Sequence, residues 1–233
     1  AYIAAAVQLA LAGHAHAIVT CPVSKASIER SGTPFTGHTE WIARMANVRA
    51  PVMMFVGDRL KVALVTTHVA LKKIPSMLTA EKIAHVIRLT TDALRNNFRL
   101  SSPRIALCGL NPHAGEEGLF GREEIDVIAP AVESARRSGY PCAGPYPADA
   151  LFRRAVAGEC DAVVAMYHDQ ALCAVKAVEP SAVNVTLGLP FVRTSVDHGT
   201  AFDIAGKGTA REESLIAAMN LAHRMVSATG ELF

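Results

Sequence analysis

Three histidines hold equivalent positions, each just after an apolar run of strand length. They are His68, His113 and His168, and the preceding runs cover residues 62–66, 105–110 and 162–166. In open α/β sheets, ligands bind beyond the carboxyl ends of the strands. Three imidazoles that leave one coordination position open are typical of a catalytic zinc-type site. A single histidine after a strand is more often a loop or packing residue, and the spacing leaves open whether the three meet in one chain or across a dimer.

A second polar segment, Phe-Thr-Gly-His-Thr-Glu at positions 35–40, is typical of a loop that enters a helix. Thr36 or His38 would lie near the helix N-cap, with Glu40 and Trp41 in the first turn. The free N–H groups of a helix N-terminus bind anions, so the segment predicts part of an anion site. The alternative is an ordinary helix cap.

Charged and amide side chains beside the later strands predict an anionic substrate. Lys176 follows the turn at His168 by two helical turns, and Asn184 and Arg193 flank the apolar run 183–187. Arginine suits phosphate or carboxylate as a bidentate fork, and lysine as a mobile point charge. Asp149 would bind a substrate hydroxyl or ammonium, or cap the helix that starts there. Each of these residues alone is also typical of a solvated surface.

The most specific string lies at positions 197–208, Asp-His-Gly-Thr-Ala-Phe-Asp-Ile-Ala-Gly-Lys-Gly. Its glycines allow tight turns and a close approach of the backbone to a ligand. It lacks the Gly-x-Gly-x-x-Gly pattern of a dinucleotide-binding Rossmann unit. It resembles the adenosine-binding loop of the β-decarboxylating dehydrogenases, with Thr200 in place of their serine and Phe202 in place of their proline. The resemblance implies that His198, Gly199, Thr200 and Asp203 bind a nicotinamide cofactor.

These segments belong to a chain in which short β-branched runs alternate with amphipathic stretches. The remaining strand-like runs cover residues 17–20, 52–56 and 183–187, and the helix-like stretches cover 79–97, 123–137 and 212–226. Such alternation predicts an α/β fold with a largely parallel sheet. The Pro/Gly-rich segment 141–147 is the best candidate for a hinge or crossover.

Composition excludes several classes of protein. Hydrophobic residues make up 51% and charged residues 19% of the 233 residues, which is typical of a well-buried enzyme and unlike a disordered chain. A net charge of only +2 argues against nucleic acid as a partner, and no apolar run has the length of a membrane span. Five scattered cysteines without a CxxC pair, and no visible signal peptide, predict a reduced, cytoplasmic setting.

Several strings together resemble the 4-hydroxythreonine-4-phosphate dehydrogenase family of vitamin B6 synthesis, from about Ala17 to the C-terminus. The resemblance implies an α/β fold of the isocitrate/isopropylmalate dehydrogenase type, with two lobes and a cleft between them. It implies that residues 1–233 form a single catalytic region, the C-terminal two thirds of the family fold. The strings that carry it are the segment at 35–40, Thr-Thr-His at 66–68, Leu-Asn-Pro-His-Ala-Gly-Glu at 110–116, Gly-Pro-Tyr-Pro-Ala-Asp at 144–149, Met-Tyr-His-Asp-Gln at 166–170 and the run 183–200.

The resemblance also implies roles for particular residues. The three histidines match the family's divalent-metal ligands, and the one that matches His168 would come from the partner subunit of a homodimer. The metal could be Zn²⁺, Co²⁺, Mn²⁺ or Mg²⁺. The positions that match substrate-binding residues are His38, Thr39, Lys176, Asn184 and Arg193. His38 and Lys176 are the candidate catalytic groups.

The implied reaction uses NAD, with NADP left open, to oxidise the C3 hydroxyl of 4-phosphooxy-L-threonine. The product, 2-amino-3-oxo-4-phosphooxybutanoate, then loses CO₂ to give 3-amino-2-oxopropyl phosphate. A dehydrogenase for D-threonate or D-erythronate 4-phosphate is the nearest alternative. From other classes, a metal-dependent hydrolase or an inactive, truncated remnant that only dimerises stays open, and NAD binding and turnover separate them.

Two departures from the family pattern affect these expectations. The family's N-terminal third, which opens with a Gly-Asp-Pro-Ala-Gly-Ile-Gly-Pro type motif, has no counterpart in the sequence. Cys21 and Ser24 stand where the family usually has glycine and histidine. These two departures bear on the substrate-site chemistry that the resemblance implies around positions 20–25.

Overall fold

The computed structural model describes residues 1–230, which form two compact units. The first unit combines Ala1–Pro51 with the chain from Ser181 onward, and the second is Val52–Pro180. The strands of the described chain are β1 (Ala17–Thr20), β2 (Val52–Val56), β3 (Lys61–Leu64), β4 (Ile105–Cys108), β5 (Cys142–Tyr146), β6 (Ala162–Ala165), β7 (Val183–Leu187) and β8 (Val192–Ser195). Its helices are α1 (Tyr2–Leu11), α2 (Lys25–Arg30), α3 (His38–Met45), α4 (Ile74–Met77), α5 (Ala80–Asn96), α6 (Ala129–Arg137), α7 (Ala148–Val156), α8 (His168–Val178) and α9 (Glu213–Thr229).

The first unit is built around strands β1, β8 and β7. β8 lies between β1, which runs parallel to it, and β7, which runs antiparallel. Helix α9 packs on these strands, where the buried hydroxyl of Thr194 donates to the carbonyl of Ala218 at 2.9 Å. An apolar core that includes Val7, Ile18 and Ile42 joins α1, β1 and α3. This core fixes α3, whose first residue is His38.

The second unit holds strands in the order β2-β3-β6-β4-β5. β2 and β3 are antiparallel, whereas β3, β6, β4 and β5 each run parallel to their neighbours. Helices α5, α7 and α8 pack against the central strands, and these strands are almost fully buried, as is usual for parallel strands covered by helices. Because the carboxyl ends of parallel neighbours meet at one edge, the loops after β3, β6 and β4 leave the sheet side by side.

The expected α/β fold with a largely parallel sheet is confirmed. All six strand-like runs form strands, and the three helix-like stretches form α5, α6 with the short π-helical turn before it, and α9. Helix α5 was predictable from its sequence because it has both an N-cap residue and a regularly spaced apolar face. Thr79 caps it by accepting a hydrogen bond from the Lys82 amide at 3.2 Å, and its buried face repeats at helical spacing through Ile83, Ile87 and Leu94.

One segment differs from expectation. The segment 141–147, interpreted as a hinge or crossover, instead contains the edge strand β5, and the chain passes between the two units at 51–52 and 180–181. Pro145 is tolerated because an edge strand has one side without a ladder partner. A Cβ at Gly144 would lie 2.7 Å from the Leu107 carbonyl oxygen, so β5 needs glycine there to approach β4.

No helix of residues 1–230 is long and apolar enough to cross a lipid bilayer. All five cysteines are free thiols. Burial raises the pKa of the Cys142 thiol to about 11 and raises that of Cys108 further. These two thiols are therefore protonated at neutral pH and act as small apolar core residues.

Candidate active site

Two of the three candidate metal ligands lie side by side in the second unit. The ring centroids of His68 and His168 are 5.5 Å apart. Strands β3 and β6 are direct neighbours, with Leu64 paired to Ala165 in the register, and the pairing continues past both strands. Beyond them, the Thr66 hydroxyl donates to the Met166 carbonyl at 2.7 Å.

The parallel register therefore delivers one imidazole from each strand end to the same place. His168 is also the first residue of α8. Its Nδ1 lies 2.7 Å from a carboxylate oxygen of Asp169, which orients the ring and leaves Nε2 for a ligand.

The third histidine lies on an unusual turn. Five consecutive residues, 113–117, have positive φ, and four of them are not glycine. A left-handed conformation costs an L-residue roughly 1–2 kcal/mol, so the turn persists only because its surroundings hold it. His113 itself contacts the Phe120 ring, with centroids 6.2 Å apart, and its Nδ1 is 3.9 Å from a Glu116 carboxylate oxygen.

The described chain does not bring the three histidines together. Among residues 1–230, no three His, Cys, Asp or Glu side chains converge closely enough to hold a metal ion. The resemblance had implied that His168 is the ligand from a partner subunit. In the described chain His168 lies beside His68, because the two strand ends are neighbours. His113 is the histidine that stands apart from the pair.

Gln170, which the sequence reasoning did not single out, links the turns that carry His168 and His113. Its Oε1 accepts from the Met166 amide and its Nε2 donates to the Gly109 carbonyl, both at 2.8 Å. The side chain therefore ties the end of β6 to the end of β4. Its sequence signal was its place in the string Met-Tyr-His-Asp-Gln.

In the first unit, Arg193 is a buried cation held by threonines. It is only 3% exposed, and its guanidinium donates to the hydroxyls of Thr20, Thr186 and Thr39 at 2.7, 2.8 and 3.2 Å. Two of the five guanidinium N–H groups remain, one on Nε and one on Nη2, and Nε finds no acceptor within residues 1–230. Burial lowers the pKa of Arg193 to about 10, while Glu40 acts in the opposite direction, so the group is charged at neutral pH.

His38 and Thr39 begin helix α3 beside this cation. Burial, Arg193 and Lys25 together lower the pKa of His38 to about 4, so its imidazole is neutral at pH 7. Thr39 accepts from Arg193, which ties the helix N-terminus to β8. Two positive side chains and a helix N-terminus make this region attractive to an anion.

Asn184 belongs to the same face. β7 and β8 are antiparallel with Asn184 opposite Ser195, which places Asn184, Thr186 and Arg193 on one side of the sheet. The side-chain oxygen of Asn184 is buried and has no hydrogen-bond partner among the described residues. An unsatisfied buried oxygen and an unsatisfied guanidinium N–H on one face of a sheet are typical of a site shaped for a polar ligand.

The other predicted site residues have less defined surroundings. Lys176 lies in the last turn of α8, and burial lowers the pKa of its ammonium below the ordinary value. Asp149 lies exposed in the first turn of α7 without capping it. Ser24, at one of the two departures, caps α2 by accepting from the Ser27 amide at 3.2 Å. Its hydroxyl therefore has a structural use.

The loop predicted to bind a cofactor is exposed through most of its length. It turns through Ala201 in the left-handed region and a short 3-10 turn at Phe202–Ile204, and Gly206 and Gly208 have positive φ. His198 lies at its start, with Nδ1 2.9 Å from the Gly199 carbonyl oxygen. The side chains of Thr200 and Asp203 are exposed.

Comparison with known proteins identifies this combination of fold and site. The sequence profile of the family described as pyridoxal phosphate biosynthetic protein PdxA matches residues 1–222. The chain therefore belongs to the PdxA family, as the motifs had indicated. A relative from Desulforapulum autotrophicum, named 4-hydroxythreonine-4-phosphate dehydrogenase, is 49% identical over 230 residues. That alignment covers 98% of this chain and 68% of the relative.

A second relative carries a different name at nearly the same similarity. This protein, from Bradyrhizobium diazoefficiens, has the provisional name D-threonate 4-phosphate dehydrogenase and is 48% identical, covering 95% of this chain and 67% of its own length. Both substrates in these names are small phosphorylated hydroxy acids. Overall identity alone does not separate the two names.

Solved structures agree with the family. The crystal structure of 4-hydroxythreonine-4-phosphate dehydrogenase from Klebsiella pneumoniae superposes with a TM-score of 0.90 at 43% identity, covering 96% of this chain and 68% of that one. Isocitrate dehydrogenase from Methylococcus capsulatus superposes with a TM-score of 0.55 at 16% identity, over 90% of this chain and 76% of that one. The second likeness concerns the fold alone and confirms the expected fold type.

Proposed function

We propose that this chain forms the metal and substrate sites of a dehydrogenase that oxidises the C3 hydroxyl of 4-phosphooxy-L-threonine with NAD. The product, 2-amino-3-oxo-4-phosphooxybutanoate, loses CO₂ to give 3-amino-2-oxopropyl phosphate, a step in vitamin B6 synthesis. Membership of the PdxA family and the names of its relatives support the substrate. The observation that carries the proposal is the buried Arg193, which keeps two N–H groups for an anion.

The surroundings of Arg193 fit a phosphate or carboxylate. The two remaining N–H groups lie on Nε and Nη2, which is the arrangement that a bidentate oxyanion needs. Lys25 adds a second positive charge, and the first turn of α3 adds free backbone N–H groups. Neutral His38 donates or accepts a hydrogen bond without adding a charge. Asn184 and Thr39 complete the polar surface.

His68 and His168 fit two positions of a divalent-metal site. Their rings are already neighbours, and imidazole nitrogen suits Zn²⁺, Co²⁺ or Mn²⁺ better than Mg²⁺. When bound, the metal supplies a Lewis acid for the oxygen at C3, and NAD supplies the acceptor for the hydride. Asp169 orients the His168 ring. Lys176, whose pKa burial lowers, moves a proton to or from the substrate or holds its carboxylate.

A homodimer that shares its active sites explains why His113 stands apart from the pair. The segment after His113 exposes Leu119 to 74%, Phe120 to 50% and Ile125 to 42%. An apolar patch beside a candidate metal ligand is typical of a surface that another subunit covers. We propose that a second copy of the chain covers this patch and that His113 completes the partner's histidine pair. His198, Gly199, Thr200 and Asp203 are the proposed NAD contacts, and a cytoplasmic location stays a prediction.

The decisive measurement is NADH formation from NAD and 4-phosphooxy-L-threonine with added Zn²⁺, Co²⁺ or Mn²⁺. A companion protein carries, ahead of Ala1, the N-terminal segment of the Desulforapulum relative. We expect turnover that EDTA and His113→Ala both abolish. Turnover that persists both with EDTA and in His113→Ala would refute the metal proposal. If neither this chain nor the companion protein forms NADH, the dehydrogenase assignment for this substrate is wrong.

The second candidate function is oxidation of D-threonate 4-phosphate, because the Bradyrhizobium relative is nearly as similar as the first. The same assay with that substrate separates the two. Substrate discrimination is measured by the ratio of the two kcat/KM values. If kcat/KM is about tenfold or more higher for D-threonate 4-phosphate than for 4-phosphooxy-L-threonine, the second candidate replaces the first.

A further inference from the structure

Glu124 is a buried carboxylate in the second unit that the proposed reaction does not use. It is 3% exposed. Its Oε1 accepts the backbone N–H groups of Leu110 and Asn111, each at 2.7 Å, and its Oε2 accepts the Asn111 side-chain N–H at 3.0 Å. All three donors belong to the two residues that lead into the turn carrying His113. The carboxylate thus accepts hydrogen bonds from the residues that directly precede that turn.

The turn is also packed around this carboxylate. A Cβ at Gly115 would lie 2.6 Å from Oε2 of Glu124, and a Cβ at Gly109 would lie 3.0 Å from Oε1. Gly115 is in the middle of the left-handed segment and Gly109 lies just before it. Both glycines are therefore needed for the backbone to close on the Glu124 side chain.

Glu124 is well placed to act as a support. It begins a π-helical turn that continues into α6, and α6 packs against α5 and β5. Its position is therefore set by the core, whereas the left-handed turn has little intrinsic preference for its own shape. Replacing a buried polar network by well-packed apolar side chains is often neutral or stabilising, so the place of Glu124 under the turn points to a use beyond stability.

We propose that Glu124 is the positioning residue for His113: it holds the left-handed turn 113–117 in the one arrangement that presents this imidazole for metal binding. The proposal deepens the function proposed above and rests on His113 being a metal ligand. It assigns no chemical step to Glu124, which acts through the backbone of Leu110 and Asn111. Groups that orient a ligand in this way typically change metal affinity by about 10–100-fold when removed.

The first test uses metal-free protein and needs no activity. Hydrogen exchange, followed by mass spectrometry of peptides that cover residues 109–118, reports on the N–H groups that Glu124 accepts. We expect Glu124→Met to accelerate their exchange about tenfold or more, because methionine removes the acceptor of both backbone N–H groups. Glu124→Gln keeps one carbonyl oxygen for both backbone groups and should change exchange far less. Glu133→Met, the same substitution at an exposed position of α6, is the matched control.

The second test titrates Co²⁺ and follows its absorption bands. Glu124→Met should weaken Co²⁺ binding by about 10–100-fold, Glu124→Gln should recover most of the affinity, and Glu133→Met should leave it unchanged. In the assay, excess metal should restore the kcat of Glu124→Met, which a general loss of structure would not allow.

Three outcomes would overturn the proposal. They are unchanged exchange in Glu124→Met, unchanged Co²⁺ affinity in Glu124→Met while His113→Ala binds weakly, and equal effects of the Met and Gln variants. If His113→Ala itself binds Co²⁺ normally, the metal function proposed above fails. Exchange at residues 109–118 then still decides whether Glu124 holds the turn.

Discussion

Replacing Arg193 by methionine should separate substrate binding from stability. The side chain is buried, and its neighbours are threonine hydroxyls, with Glu40 as the acidic group that acts on it. Methionine keeps the apolar volume and removes the charge. Threonine hydroxyls rotate and can find other partners, and a buried cation without a close carboxylate adds little to stability. We therefore expect the free energy of unfolding to stay within about 1 kcal/mol of wild type.

The effect on the substrate should be much larger. The variant loses the two N–H groups on Nε and Nη2, and a hydrogen bond to a charged group is worth about 1.5–3 kcal/mol. Taking about 3 kcal/mol for the pair, kcat/KM should fall about 100-fold, because each 1.4 kcal/mol is tenfold. Most of the change should appear in KM, since the anion is bound in the ground state as well as in the transition state.

Steady-state kinetics and calorimetry with inorganic phosphate measure this loss directly. The control is Arg224→Met, the same substitution on an exposed turn of α9, which should leave both quantities unchanged. Wild-type KM and wild-type phosphate affinity in Arg193→Met would refute the assignment of the anion site. A fall of several kcal/mol in the free energy of unfolding, with KM unchanged, would show that Arg193 is a structural residue only.

Three further predictions concern other parts of the chain. The pKa of His38 falls from 6.5 to about 4 on folding, so its contribution to stability is complete above pH 6.5 and is lost as the pH falls towards 4. The variant His38→Asn should therefore lose less stability than wild type between pH 6.5 and pH 4, as measured by chemical denaturation. Gln170→Leu breaks the link between Met166 and Gly109 and should lower the free energy of unfolding by about 2 kcal/mol in urea titrations, because two backbone groups lose their partner. Leu119→Glu places a charge in the proposed dimer surface and should raise the dimer dissociation constant at least tenfold in analytical ultracentrifugation, a change of about 1.4 kcal/mol.

Each of these variants has a matched comparison. His223→Asn changes an exposed histidine of α9 and should leave the pH dependence as it is. Gln8→Leu changes an exposed glutamine of α1 and should leave the free energy of unfolding close to wild type. Leu71→Glu makes the same substitution at an exposed leucine outside the patch, since Leu71 is 66% exposed, so dimerisation should persist. Equal behaviour of a variant and its control would contradict the corresponding prediction.

The strands were predictable where burial and side-chain type agree. β3, β4 and β6 are runs of apolar residues with every position, or nearly every position, buried. β8 was missed because its Arg193, Thr194 and Ser195 resemble a polar loop. All three residues are buried, however, and each side chain forms a hydrogen bond. β5 was missed because Gly144 and Pro145 are typical of a turn, and only the neighbouring strand shows that an edge position tolerates them.

The candidate site was predictable to the same limited extent. Strand-end position placed His68, His113 and His168 at one edge of the sheet, and the described chain brings the first and last of them within 5.5 Å, measured between ring centroids, because parallel neighbours deliver their carboxyl ends to one edge. The departure of His113 was hidden, since nothing in its sequence marks Ala114 or Glu116 for a left-handed backbone. Glu124 was hidden for a related reason. A glutamate in a helical stretch is usually solvated, and its burial depends on a turn that local sequence does not predict.

In directed evolution, substitutions in the left-handed turn at 113–117 should affect thermal stability and metal binding in opposite directions. Glycine adopts positive φ without the steric cost that Ala114, Glu116 and Glu117 bear, so a selection for thermal stability alone should enrich glycine at these positions. The same replacements would loosen the backbone that carries His113. A library selected first for stability and then assayed for metal binding should therefore lose metal binding at these positions.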